Sequence, residues 1–99
     1  MQGSNNTEGS RLIASFEGRV QGVGFRFTTV EIARGYNVTG FVQNMPDGTV
    51  RLVVEGDQSV IQEFVAAIRS SHIFNYVTRE SVDWQKPLGD MKSFEIRYA

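Results

Sequence analysis

The chain has 99 residues, 40% of them hydrophobic, with seven Phe, three Tyr and one Trp. This length and composition are typical of one compact domain with its own core, and they exclude a two-domain enzyme and a disordered regulator. Ten Lys and Arg balance eleven Asp and Glu, so the net charge does not favour general binding to nucleic acid or to anionic membranes.

The chain begins with a polar, glycine-containing stretch, residues 1–10, which lacks the apolar centre of a secretion signal. We predict that this stretch is a flexible extension, native or added to the chain, and that residues 11–99 form the folded domain. No apolar run in the sequence approaches the length needed to span a bilayer. We therefore expect a cytoplasmic protein without a membrane partner.

Residues 12–20 alternate between more apolar and more polar side chains, which predicts the first β-strand. A glycine-containing loop follows, and after it Phe27, Val30 and Ala33 recur at helical spacing. We predict a first helix that ends at Gly35, which is expected to take the left-handed conformation common after helices.

Two further strands, residues 38–44 and 49–55, flank the short segment Met45-Pro46-Asp47-Gly48. Proline presets one backbone angle of a tight turn, and glycine permits a positive φ. This pattern predicts a β-hairpin with Asp47 as a turn residue.

Asp57 is a suitable N-cap for a second helix, whose apolar side chains all fall on one face. These side chains are Val60, Ile61, Phe64, Val65 and Ile68. Two more alternating segments, residues 76–84 and 93–98, predict strands that are separated by a break at residues 87–90.

The predicted order is βαββαβ with one short C-terminal strand added. Two helices packed on one face of an antiparallel sheet in this order form a ferredoxin-like α+β sandwich. The aromatic side chains within the apolar patterns are expected in its core: Phe16, Phe27, Phe64, Trp84 and Phe94. This fold hosts enzymes, RNA binders and regulatory modules, so it does not by itself indicate a function.

Between the first strand and the first helix, Gly22 and Gly24 precede Arg26. Glycines let successive backbone N–H groups turn toward one point, and the unpaired N–H groups at the start of a helix add positive potential there. The guanidinium of Arg26 can then bind two phosphate oxygens. The pattern alone is equally compatible with a tight connection and a solvated arginine.

Other chemistries find little support in the sequence. No third glycine stands in dinucleotide-binding register and no Gly-Lys-Ser/Thr motif occurs, so no nucleotide cofactor is predicted. The chain has no cysteine and one histidine, which excludes disulfides, a thiol nucleophile and a cysteine-based zinc site and makes another metal site unexpected. We assign no role to His72, to Ser70 and Ser71 beside it, or to Arg19 and Arg51, which we expect to be solvated charges.

Three motifs closely resemble the acylphosphatase family: residues 18–26 (GRVQGVGFR), 40–44 (GFVQN) and 46–50 (PDGTV). The resemblance covers nearly the whole chain, and spaced motifs that occur together are far more specific than any one of them alone. It implies an enzyme that hydrolyses the carboxyl-phosphate bond of acyl phosphates to a carboxylate and inorganic phosphate, without a metal or another cofactor. The oligomeric state is left open, with a monomer as the default expectation.

The resemblance also implies roles for individual residues. Arg26 binds the substrate phosphate, and Asn44 positions the attacking water. The backbone amides that cradle the phosphate are those of Gln21, Gly22, Val23, Gly24 and Phe25. Phe41 and Gln43 depart from the tryptophan and arginine that members often carry, at positions that the family does not use for chemistry. The preferred acyl group is therefore left open.

Three other functions stay open at this point. One is a noncatalytic module that senses a phosphorylated metabolite through the same Arg26 cradle. Another is a carbamoyl-phosphate-processing domain like that of hydrogenase maturation proteins, against which the absence of zinc-binding cysteines counts. The third is nucleic-acid binding, which the balanced charge disfavours. Without the family, Asn44 is ordinarily interpreted as a polar residue that ends a strand before a turn.

Overall fold

The computed structural model describes residues 9–98 of the chain. In chain order its elements are β1 (Ser10–Gly18), α1 (Phe25–Ala33), β2 (Thr39–Asn44), β3 (Val50–Gly56), α2 (Gln58–Arg69), a 3-10 helix (His72–Tyr76), β4 (Val77–Gln85) and β5 (Phe94–Arg97). The predicted order of strands and helices is confirmed. The 3-10 helix is an addition that the sequence pattern does not predict.

A five-stranded sheet has the strand order β4-β1-β3-β2-β5. Neighbouring strands are antiparallel except for the short β5, which pairs with β2 in parallel. In the central strand β3, Val50 lies opposite Phe16 of β1 and Asn44 of β2. The last residues of β1 and β2 and the first residue of β3 therefore meet at one end of the sheet.

Both helices pack on one face of this sheet, where buried side chains form a single cluster. The cluster includes Leu12, Ala14 and Phe16 from β1, Val42 from β2, Val50, Leu52 and Val54 from β3, and Ile61, Phe64, Val65 and Ile68 from α2. The apolar face predicted for α2 is therefore confirmed, with Val60 half-buried at its margin. The fold is the ferredoxin-like α+β sandwich that the sequence predicts.

The prediction for α1 is confirmed for Ala33, which is buried, and for Val30, which packs against the core, but it is wrong for Phe27. Phe27 is 65% exposed, whereas Phe25, Thr29 and Ala33 are buried. Thr29 can be buried because its hydroxyl donates a hydrogen bond to the carbonyl oxygen of Phe25 at 2.8 Å, which satisfies this polar group inside the core. The buried row of α1 therefore begins at Phe25 rather than at Phe27, and Ala33 belongs to both rows.

The two predicted helix ends also differ in detail from the structure. Gly35 does not take the expected left-handed conformation, since the end of α1 closes through ordinary helical angles at Arg34, with φ −61° and ψ −23°. Asp57 does occupy the N-cap position of α2, but its side chain makes no capping hydrogen bond. The first turn of α2 is closed instead by a backbone bond of 2.9 Å from the Ile61 N–H to the Asp57 carbonyl oxygen.

Trp84 was expected in the core and is 39% exposed. It lies on β4, an outer strand of the sheet, and both helices make their main contacts with the other strands. The helices therefore cover few of the side chains of β4. The predictions for Phe16, Phe64 and Phe94 are confirmed, and the rings of Phe64 and Phe94 meet edge to face with centroids 5.4 Å apart.

The first strand begins at Ser10, which pairs with Gly56, so β1 starts inside the stretch predicted to be flexible. Residues 1–8 of that stretch lie outside the described residues, and the division between extension and domain stays a prediction. Within residues 9–98, no helix combines the length and the apolar character needed to cross a membrane.

Candidate active site

The chain passes from β1 to α1 through a loop, residues 19–24, whose two glycines have positive φ. The φ angles are 80° at Gly22 and 83° at Gly24, in the left-handed region that strains other residues. A Cβ atom at either position would meet nothing within 4 Å, so backbone conformation rather than crowding requires glycine here. Gly24 is the N-cap of α1, and its carbonyl oxygen accepts a hydrogen bond from the Thr28 N–H at 3.0 Å.

The start of α1 leaves its backbone donors open. No side chain caps the helix, and no described residue accepts a hydrogen bond from the backbone N–H groups of residues 21, 22 and 24–26. The first turn of a helix concentrates such unpaired N–H groups, and the helix dipole adds positive potential there. Together with the loop glycines, this end of α1 favours the binding of an anion.

A cavity of about 240 Å³ opens beside this helix start, and its lining is Val20, Gly22, Gly24, Phe25, Arg26, Phe27 and Asn44. Arg26 is the charged residue of this lining, and none of the ion pairs among residues 9–98 involves it. Its guanidinium carbon lies 5.3 Å from the centre of the exposed Tyr98 ring, so an aromatic face accompanies the cation. Its positive charge suits the cavity to an anionic ligand.

Asn44 reaches the same cavity from the last position of β2. Its Oδ1 atom is buried and accepts no hydrogen bond from the residues that the structure describes. An unsatisfied buried polar group costs about 1–3 kcal/mol, so native proteins contain few of them. Beside this cavity, the amide is suited to a hydrogen bond with a water molecule or a ligand.

The side chain of Gln21 joins the loop to the β2–β3 turn. Its Nε2 atom donates hydrogen bonds to the carbonyl oxygens of Met45 and Thr49, at 2.8 and 2.9 Å. Met45 directly follows Asn44, so these two bonds set the distance between the loop that precedes Arg26 and the strand that carries Asn44. The sequence pattern indicates a role for the Gln21 backbone and misses this role of its side chain.

The turn that receives these bonds is itself well ordered. The Met45 N–H donates to the Thr49 carbonyl oxygen at 2.9 Å, and Gly48 has a φ of 93°. Asp47 is the predicted turn residue, and its Oδ1 accepts hydrogen bonds from the Thr49 N–H at 3.0 Å and the Thr49 hydroxyl at 2.7 Å. These bonds, the backbone one first, lower the pKa of Asp47 below its usual value. The turn is thus a fixed anchor for Gln21.

Five of the predicted site residues lie together in the cavity lining, namely Gly22, Gly24, Phe25, Arg26 and Asn44. Gln21 and Val23 belong to the same loop but do not line the cavity, since the Gln21 side chain bonds to the turn and Val23 packs against the core.

Two aromatic residues of the site, Phe27 and Tyr98, are not predicted from the sequence. A second helical row, residues 25, 29 and 33, could have indicated that Phe27 is not the buried residue. That row is less apolar than the predicted one because it contains Thr29. The position of Tyr98 near Arg26 follows from the parallel pairing of β5 with β2, which no local pattern indicates.

The residues that were given no role lie outside the cavity lining. His72, Ser70 and Arg19 are exposed. Arg51 is not the freely solvated charge that was expected, because it is half-buried and its Nε atom is buried without a partner among residues 9–98. In the part of the chain that the structure describes, no three His, Cys, Asp or Glu side chains are grouped so that they could hold a metal ion.

Comparison with known proteins gives matches over this whole domain. A model of the Acylphosphatase family matches residues 13–96. An acylphosphatase from Trichormus variabilis is 38% identical over 96 residues, which cover 94% of each chain. Another, from Thermococcus kodakarensis, is 40% identical over 79 residues, which cover 80% of this chain and 86% of the relative.

Solved structures give the same result. The crystal structure of acylphosphatase from Bacillus subtilis has a TM-score of 0.81 and 35% identity, and the match covers 90% of this chain and 99% of that one. Full-length HypF, in its phosphate- and nucleotide-bound form, has a TM-score of 0.77 and 32% identity over 90% of this chain but 12% of its own. The family match includes both the loop and the hairpin that form the cavity.

Proposed function

Because the chain belongs to the acylphosphatase family, we propose that it hydrolyses the carboxyl-phosphate bond of acyl phosphates and releases a carboxylate and inorganic phosphate. The observation that carries this proposal is that one cavity is lined by Arg26, by Asn44, whose buried amide oxygen has no hydrogen-bond partner among residues 9–98, and by the glycine loop and first residues of α1. Each of these groups suits a phosphoryl group or the water that attacks it.

In the proposed complex, the phosphate dianion lies at the start of α1. Its oxygens accept hydrogen bonds from the backbone N–H groups of residues 21–25 and from the planar guanidinium of Arg26, which can bind two oxygens at once. Phosphoryl transfer spreads negative charge over the non-bridging oxygens, so these donors stabilise the transition state in particular. The loop glycines let the backbone approach the anion closely.

The attacking water is held by Asn44. The amide can present its oxygen or its nitrogen to the cavity by half a turn about the Cβ–Cγ bond, and its oxygen accepts a hydrogen bond from the water. The water oxygen attacks phosphorus as the bond to the carboxylate oxygen breaks, and the electron pair of that bond leaves with the carboxylate. The water proton passes to a phosphate oxygen, because no carboxylate or imidazole of residues 9–98 lines the cavity to act as a base.

The proposed reaction needs neither a metal nor a second subunit. The cavity lining offers one guanidinium and one amide, whereas divalent metals prefer carboxylates, imidazoles or thiolates. A carboxylate is already a good leaving group, so the protein mainly has to orient the water and stabilise charge. We also propose that the enzyme acts as a monomer. Its cytoplasmic location stays a prediction.

The proposal is tested by hydrolysis of benzoyl phosphate, a chromogenic acyl phosphate, with purified protein in excess chelator. Turnover by the wild-type protein is expected, and Asn44→Ala should reduce kcat by at least ~10²-fold while phosphate still binds. A folded wild-type protein that binds phosphate but turns over no acyl phosphate would instead indicate the noncatalytic binding module. Loss of turnover on chelation alone would contradict the metal-free mechanism.

A further inference from the structure

One wall of the candidate active site is an exposed phenylalanine. Phe27 is 65% exposed, although the chain's six other phenylalanines are buried or half-buried. It lies outside the hydrophobic core and lines the 240 Å³ cavity together with Arg26 and Asn44. Single exposed apolar side chains are common on protein surfaces, but one that forms a cavity wall is placed to contact a ligand.

The rest of the lining leaves little for an acyl group to contact. Two of its residues are glycines, and Val20 and Phe25 are buried in the core at 0% and 2% exposure. Arg26 and Asn44 are assigned to the phosphate and to the water. Among the residues that line the cavity, Phe27 is therefore the one with a large, exposed apolar side chain, and the exposed ring of Tyr98 near Arg26 lies outside this lining.

We infer that Phe27 selects acyl phosphates with an apolar acyl group, and above all an aromatic one, over those with a small acyl group. This inference rests on the proposed function. An acyl substituent that extends from the phosphate site against this ring removes apolar surface from water, and an aromatic substituent also stacks on it. The methyl group of acetyl phosphate and the amino group of carbamoyl phosphate offer little surface or the wrong polarity for this contact.

The experiment measures kcat/KM for benzoyl phosphate and for acetyl phosphate with the wild-type protein and three variants. Phe27→Ala should lower the benzoyl-to-acetyl ratio by about tenfold, the discrimination that one apolar contact can supply. Phe27→Leu keeps apolar bulk and should retain part of the ratio. Leu88→Ala removes an apolar side chain of similar exposure, 67%, outside the cavity lining and should leave the ratio unchanged.

An equal loss on both substrates in Phe27→Ala, or the same ratio in all four proteins, would overturn this inference and leave the proposed function in place. A wild-type protein that hydrolyses neither substrate would overturn the proposed function, and this inference with it. Thermal unfolding of Phe27→Ala should match that of the wild-type protein, since the side chain is outside the core.

Discussion

The two ends of the central strand β3 differ in how a buried polar group beside them is hydrogen-bonded. At the end where β3 finishes, the Glu55 carboxylate is 6% exposed and accepts hydrogen bonds from Arg11 at 2.6 Å, the Leu88 N–H at 2.8 Å and the Gly89 N–H at 3.0 Å. At the end where β3 begins, the Asn44 oxygen is buried without a partner among residues 9–98.

This difference distinguishes a polar group that is bonded within the fold from one that is left open for the proposed reaction. The bonds to Glu55 hold Leu88 and Gly89 against the start of β1, and a cavity of about 620 Å³ beside them is lined by this carboxylate, whose bonds are already made. The smaller cavity at the Asn44 end is lined by Arg26, which makes no ion pair within residues 9–98, and by the start of α1. The proposed site is therefore not at the larger of these two cavities.

The largest expected effect is a loss of activity when Arg26, at the Asn44 end of the sheet, is replaced. Arg26→Ala should lower kcat/KM for benzoyl phosphate by at least ~10²-fold with little change in stability, because its charge serves the ligand rather than the fold. Arg26→Lys keeps the charge without the planar pair of donors and should recover little activity. The matched control is Arg19→Ala, which removes an exposed arginine of the same loop outside the cavity lining. Similar losses at both positions would indicate general attraction of the substrate by charge.

The next effect is at the Glu55 end, on stability. Glu55→Gln should lower the free energy of unfolding by ~2 kcal/mol at neutral pH, since it removes the charge that Arg11 and two backbone N–H groups bind. Urea unfolding measures this loss, while kcat on benzoyl phosphate should stay near that of the wild-type protein. Glu63→Gln, on the exposed face of α2, is the control.

The loss of stability in Glu55→Gln should depend on pH, in a direction that the pKa of Glu55 predicts. Burial raises the pKa of Glu55, but hydrogen bonds from Leu88, Arg11 and Gly89 outweigh it and lower the pKa below the ordinary value of 4.5. The carboxylate therefore contributes stability above that ordinary pKa and loses it as the pH falls through the lower, folded-state pKa. The stability difference between wild type and Glu55→Gln should shrink over this acid range. A difference independent of pH would contradict the role of the charge.

The smallest expected effect tests what holds the Asn44 end together. Gln21→Ala removes both hydrogen bonds to the turn and should lower kcat by about fivefold, with a smaller change in KM, because the distance between Arg26 and Asn44 becomes less fixed. The control is Gln85→Ala, which removes a hydrogen bond from an exposed glutamine at the Glu55 end. A rise in KM without a fall in kcat would mean that Gln21 acts in binding rather than in positioning.

Much of the fold and part of the site could be predicted because their signals are local. Alternation along residues 12–20 and the apolar face of α2 are set by the two- and 3.6-residue periods of strand and helix. The positive φ at Gly22, Gly24 and Gly48 is likewise a property of single residues. The resemblance of the loop and hairpin motifs to the acylphosphatase family added Arg26 and Asn44, whose assigned roles stay a prediction.

The errors arose where a local pattern had two solutions. In α1, both Phe27 and Phe25 begin an apolar helical row that ends at Ala33, and packing against the sheet buries Phe25 and leaves Phe27 exposed. In β4, Trp84 belongs to an alternating pattern but lies on an outer strand that the helices scarcely cover. The neighbouring residues in the sequence predict neither of these outcomes.

By itself, then, the sequence determined the order of strands and helices, the backbone shape of the glycine loop and the residue types that could bind a phosphate, because each depends on neighbours along the chain. The tertiary structure decided which residues share the cavity. Pairing of β2 with β3 brings Asn44 to the end of the sheet where β1 leads into Arg26, and the bonds of Gln21 hold the two together. Such contacts join residues far apart in sequence, so only the packed sheet specifies them.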